Sequence, residues 1–123
     1  MTTALFAVRG RSQRVYPYRA LDILAARSEP IWQAGANFLI ARQVPADEPL
    51  ILYVGAAPNL FQFIDDSRCW ETARWKYEAD VFYAHPNDSE GAREAEREDL
   101  IAAHAPPLNA DNWQSIIARA LEM

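Results

Sequence analysis

A small α+β domain is the fold class this sequence predicts: a central three-stranded antiparallel sheet flanked by helices, with an extra N-terminal segment and a C-terminal helix. Three observations carry that expectation. The chain has 123 residues, 50% hydrophobic and 24% charged, enough for one buried core and too short for two ordinary domains, so residues 1–123 read as a single domain. Three apolar runs rich in β-formers, 36–42 (Ala-Asn-Phe-Leu-Ile-Ala-Arg), 50–54 (Leu-Ile-Leu-Tyr-Val) and 79–84 (Ala-Asp-Val-Phe-Tyr-Ala), have the length of strands. Finally, the stretch from Glu90 to about His104 contains no proline and only Gly91 as a breaker, which reads as a helix of roughly four turns.

Each element has a local reason. Leu5, Phe6, Ala7 and Val8 suggest a short strand, and 10–13 a turn. Tyr16, Pro17 and Tyr18 favour extended or turning backbone, because proline disfavours helix at the residue before it. Residues 20–27 predict two turns of helix closed by Ser28, Glu29 and Pro30. The runs 36–42 and 50–54, joined by a loop containing Pro, Asp and Glu, make an antiparallel pair, and 79–84 is the third strand of the same sheet. Asn59 caps a helix with Leu60, Phe61, Phe63 and Ile64 on its apolar side, and a second helix covers 70–77. Pro106 and Pro107 end the long helix. Asp111 with Gln114 resembles a capping box for a last helix bearing Trp113, Ile116, Ile117, Ala120 and Leu121, a stripe read as core packing.

Composition narrows the function classes. With 17 acidic and 12 basic residues the formal charge is -5, which excludes a broadly basic nucleic-acid coat but leaves room for a local basic patch. The single cysteine, Cys69, excludes an intramolecular disulfide and a multi-cysteine zinc site, and suits a reducing, cytoplasmic setting. The apolar run 4–8 is far below the roughly 18 residues needed to span a bilayer, so no membrane partner is expected. No repeat, glycine-rich phosphate loop or nucleophile elbow is present. His85, His104 and Cys69 match no zinc signature, and the adjacent Asp65 and Asp66 diverge on a helix and mark its end.

One constellation carries more. Ala36-Asn37-Phe38-Leu39-Ile40 is followed by Tyr53-Val54-Gly55, a helix, a strand, and a helix bearing Leu100-Ile101 before Pro106-Pro107-Leu108-Asn109. This order resembles the GIY-YIG nuclease family over residues 36–109. The resemblance implies a three-stranded antiparallel sheet with helices packed on it, metal-dependent phosphodiester hydrolysis of DNA, and Mg2+ or Mn2+ as cofactor. In the family a tyrosine of the second motif helps activate water, an arginine on the next helix stabilises phosphate charge, and a glutamate on the later helix holds the metal. This division of labour supplies a nucleophile and charge compensation.

Carried over residue by residue, the pattern is incomplete. Tyr53 matches the second-motif tyrosine and is expected to face the long charged helix across a shared pocket. Phe38 stands where the first-motif tyrosine is expected, Phe63 where the arginine is expected, and Arg97 at the glutamate's place three residues before Leu100. Arg42, Arg93 and Arg97 itself are the remaining candidates for phosphate contact. With Leu100 at 0° and Ile101 at 100° around the helix, Arg97 projects at about 60°, Arg93 at about 20°, Glu96 at about -40° and Glu98 at about 160°. Arg97 is thus expected in the middle of the sheet-facing side, and at most one of Glu96 and Glu98 can replace the missing metal ligand. The residues therefore point to a nuclease-like domain with weakened or lost activity, or to a non-catalytic module that keeps the fold and binds DNA or a protein partner. A charged, solvated face is the competing account of Glu90, Glu94, Glu96 and Glu98.

Overall fold

The computed structural model describes residues 5–67 and 69–110; the last helix expected from the sequence lies outside them, as does Arg68. The chain runs β1 (Leu5–Arg9), β2 (Val15–Leu21), α1 (Ile23–Ala26), a 3-10 turn (Pro30–Trp32), β3 (Ala36–Arg42), β4 (Leu50–Ala57), α2 (Leu60–Ser67), α3 (Cys69–Tyr77), β5 (Val81–Pro86), α4 (Glu90–His104) and α5 (Pro107–Ala110). No helix among the described residues is long and apolar enough to cross a membrane.

The sheet has five strands in the order β1-β2-β5-β3-β4, and every neighbouring pair is antiparallel. This corrects the three-stranded expectation. The N-terminal segment is not an addition beside the sheet: β1 and β2 form a hairpin whose second strand pairs with β5 through Arg19, Ala20 and Leu21. Pro17 conceals β2 in the sequence, because proline in a strand argues against an interior position. The ladder to β5 stops at Arg19 opposite Ala84. Continuing the same register would set Pro17 against Pro86, two residues without an N–H to donate.

The helix expected over 20–27 is correspondingly shorter. Ala20 and Leu21 pair with Tyr83 and Phe82, and the Asp22 carboxylate then accepts from Leu24 N at 3.1 Å and Ala25 N at 3.4 Å. That cap starts α1 only at Ile23. Farther along, Asn59 caps α2 as its sequence position suggests, accepting from Gln62 N at 3.1 Å. Ser89 does the same for α4 through Ala92 N at 3.2 Å.

Alternation along β3 sends neighbouring residues to opposite faces. Ala36, Phe38 and Ile40 join Tyr53, Phe82, Ala84, Leu60, Phe61 and Ile64 in one core layer beneath α2 and α3. Leu39 and Ala41 join Val8, Tyr18, Val54, Tyr83 and Leu100 in the other, beneath α4. The register of β4 shifts between Ile40 and Ala41, which pair with Tyr53 and Ile51, so Leu52 is an extra residue. This bulge puts Leu52 and Tyr53 in the same layer.

Candidate functional site

The residues singled out by the resemblance separate onto the two faces. Phe38, Tyr53 and Phe63 do meet: the ring centroid of Phe38 lies 5.9 Å from Tyr53, 5.1 Å from Phe63 and 5.4 Å from a stacked Phe82. They meet as an interior. Tyr53 is 3% exposed and Phe38 is fully buried; each such ring pair adds roughly 0.5–1.5 kcal/mol to the area it buries. Gly55 exists for this packing, since a Cβ there would lie 2.3 Å from Phe38 Cζ.

The long helix packs on the other face, so the expected pocket between Tyr53 and the charged helix is not formed. The buried side of α4 consists of Arg93, Glu96 and Leu100. Its centre lies close to Leu100, not at Arg97: Arg97 is partly exposed and pairs with Glu94 at 3.0 Å. Arg42 pairs with Glu78 at 3.3 Å on the surface. Glu98 is exposed and lines a groove with Arg11, Arg14 and Asp99, about 200° around the helix from Glu96.

What α4 brings to the sheet is a buried polar cluster. Tyr18 on β2 donates its hydroxyl to Glu96 Oε2 at 2.5 Å. His85 Nε2 on β5 stands 3.5 Å from Glu96 Oε1, with its ring edge-on to Tyr18. Arg93 donates to the carbonyl of Asn87 at 2.9 Å, while its own carbonyl accepts from Asn37 Nδ2 at 2.9 Å. Asn87 Nδ2 donates to Asn37 Oδ1 at 3.0 Å. Gly35 completes the arrangement, because a Cβ there would lie 2.3 Å from Arg93 Nη1.

Burial sets the electrostatics. Glu96, 4% exposed, has its pKa pushed up to about 7 by desolvation, against which the hydrogen bond from Tyr18 works only in part. Burial also raises the Tyr18 phenol and lowers the His85 imidazole. Near neutral pH the cluster therefore holds one carboxyl poised to gain or lose a proton, beside a half-buried imidazole.

Of the two glutamates offered as ligands for Mg2+ or Mn2+, Glu96 is the one α4 turns toward the sheet. Its Oε2 accepts from Tyr18, and burial favours its protonated form. Among the described residues no group of three His, Cys, Asp or Glu side chains gathers to hold a metal.

Sequence reasoning placed Arg93 and Glu96 on α4 but missed their partners Tyr18, His85, Asn37 and Asn87. One signal was available: Asn37 interrupts an otherwise apolar strand that is buried throughout its first six residues, and a polar residue there requires a partner. No family model matches the chain, and neither a curated protein nor a solved structure is detectably similar to it.

Proposed function

We propose that this chain is a non-catalytic binding module. One observation carries the reading: Tyr53, the residue on which the nuclease chemistry would depend, is 3% exposed inside an aromatic cluster, on the opposite face of the sheet from the helix that bears Glu96 and Arg93. A hydroxyl that activates water must reach both the water and the phosphorus within hydrogen-bond range. A tyrosine enclosed by Phe38 and its neighbours has no such access, and Phe63 in place of the arginine supplies no charge for a phosphoryl oxygen. With neither group placed for phosphodiester hydrolysis, recognition is the reading these observations favour.

The test is incubation of the purified chain with duplex, branched and single-stranded DNA in the presence of Mg2+ or Mn2+. No cleavage is expected. Cleavage that disappears in Tyr53→Phe would overturn the proposal, because it would require the buried hydroxyl to reach substrate.

A further inference from the structure

The outer face of the β1–β2 hairpin stands apart from the rest of the surface. Residues 1–21 contain Arg9, Arg11, Arg14 and Arg19 and no Asp or Glu, in a chain whose net charge is -5. Elsewhere three of the described arginines are paired with acids, Arg27 with Asp65, Arg42 with Glu78 and Arg97 with Glu94, while Arg74 lies over the Trp70 ring and Arg93 is buried on the Asn87 carbonyl. Among the described residues none of the four hairpin arginines has an ion pair within salt-bridge distance. Arg11 and Arg14 share a groove at the tip with Glu98 and Asp99, whereas Arg9 and Arg19 belong to the outer face.

Register defines that face. Leu5 pairs with Arg19, Ala7 with Pro17 and Arg9 with Val15, and all six are exposed, Leu5 at 68% and Val15 at 49%. Their neighbours Val8 and Tyr18 point the other way, into the layer beneath α4. The face is thus an apolar strip with a guanidinium at each end. The two cations are separated by roughly 13 Å along the ribbon, the axial length of about four nucleotides of one DNA strand.

From this arrangement we infer that the outer face of the hairpin binds the phosphate backbone of duplex DNA, an inference that rests on the binding-module reading and lies outside the segment resembling the nucleases. Arginine is the side chain whose planar fork matches phosphate oxygens. Contact with the phosphate backbone needs no entry into a groove, so the pairing of β2 with β5 in the five-stranded sheet does not obstruct it. The strip carries Leu5, Ala7, Val15 and Pro17 and no aromatic ring, so it lacks the stacking platform by which single strands are held.

The experiment is fluorescence anisotropy of a labelled 20-base-pair duplex titrated with the full chain in EDTA across a salt series. Binding is expected to weaken with salt, and Arg9→Ala/Arg19→Ala to make the slope of log K against log salt shallower by about 2. Arg9→Lys/Arg19→Lys should keep most of the slope, and Arg42→Ala/Arg97→Ala should leave it unchanged. The inference is overturned if the wild-type chain does not bind at low salt, or if the double alanine variant binds like wild type. It is equally overturned if polyglutamate competes as well as duplex, which would assign the face to an acidic protein, or if single-stranded DNA binds more tightly. DNA cleavage under Mg2+ would overturn the binding-module reading alone, so the two failures are separable.

Discussion

Asn109 grips Val54 at both backbone groups, its Oδ1 accepting from Val54 N at 2.8 Å and its Nδ2 donating to Val54 O at 3.0 Å. β4 is an edge strand, and the carboxamide of Asn109 on α5 supplies at this position the hydrogen bonds that a further strand would supply. Two residues that the sequence marks as parts of separate motifs, Tyr53-Val54-Gly55 and Pro106-Pro107-Leu108-Asn109, are thereby one structural unit. Asn109→Ala should cost about 1–3 kcal/mol, since it leaves two backbone groups without partners. Asn109→Asp should be worse than the loss of one bond, because a carboxylate oxygen would then face the Val54 carbonyl. Urea unfolding at neutral pH, with unchanged slope, checks both.

Gly55→Ala is expected to destabilise by about 1–3 kcal/mol, the usual cost of overpacking. The reason is contact and not backbone conformation: no glycine in the described chain has a positive φ, whereas the new methyl would overlap the Phe38 ring. A Phe38→Leu background should absorb much of the effect, so a double-mutant cycle must show favourable coupling. Additive losses would show that the ring is not what excludes the side chain.

Glu96 makes stability depend on pH. Its folded-state pKa, about 7, lies above the ordinary value of 4.5, so the folded protein holds the proton more tightly than the unfolded chain. Its contribution is complete below about pH 4.5 and is lost as pH rises through about 7, a span on the order of 3 kcal/mol. His85, whose pKa burial lowers, acts in the opposite sense, contributing above its ordinary value of 6.5 and losing that contribution as pH falls. Glu96→Gln isolates the carboxyl: its unfolding free energy should equal or exceed wild type at pH 8 and lose the advantage at pH 5. A wild-type profile parallel to that of the variant would refute the assignment.

Asp99 ties the hairpin tip to α4. Its carboxylate accepts from Ser12 N at 2.8 Å, Ser12 Oγ at 2.6 Å and Tyr16 Oη at 2.8 Å, and the hydrogen bonds from Ser12 hold its pKa below the ordinary value. Stabilisation from this group is present above about pH 4 and lost as pH falls through the depressed pKa. Asp99→Ala should accelerate amide exchange at Ser12 relative to Asp99→Asn, which keeps an acceptor. Equal exchange in the two variants would show that the tip is ordered by other contacts.

Ala105 ends α4 in the left-handed region, φ 45° and ψ 58°, with its N–H bonded to the Ile101 carbonyl. This conformation costs an L-residue roughly 1–2 kcal/mol and glycine far less. Ala105→Gly should therefore stabilise the protein by about 0.5–1 kcal/mol after the added flexibility of the unfolded chain is counted. An unchanged or lowered thermal midpoint would contradict it.

Local signals were sufficient for much of the architecture. The β-prone runs that became β3, β4 and β5 were legible because each is short, apolar and bounded by turn residues, and α4 because its capping serine, unbroken interior and double proline all act within the segment. Phe63 was readable as an apolar helix residue, and the structure packs it on Phe38, which also meets Tyr53. The hairpin escaped notice because Pro17 is acceptable in β2 only where the ladder to β5 has already ended, a fact of pairing and not of the segment itself.

What the sequence by itself determined is the strands β3, β4 and β5, the helix α4, and that Phe38, Phe63 and Arg97 stand where the resemblance would expect a tyrosine, an arginine and a glutamate. Only the tertiary structure decided that Tyr53 and α4 occupy opposite faces, that Glu96 and not Arg97 turns inward, and that Tyr18 and His85 come from distant strands to meet it. The physical reason is that strand alternation and helix rotation are periodic. A bulge at Leu52, or a turn of some tens of degrees about the α4 axis, redistributes side chains among faces without altering a single local preference.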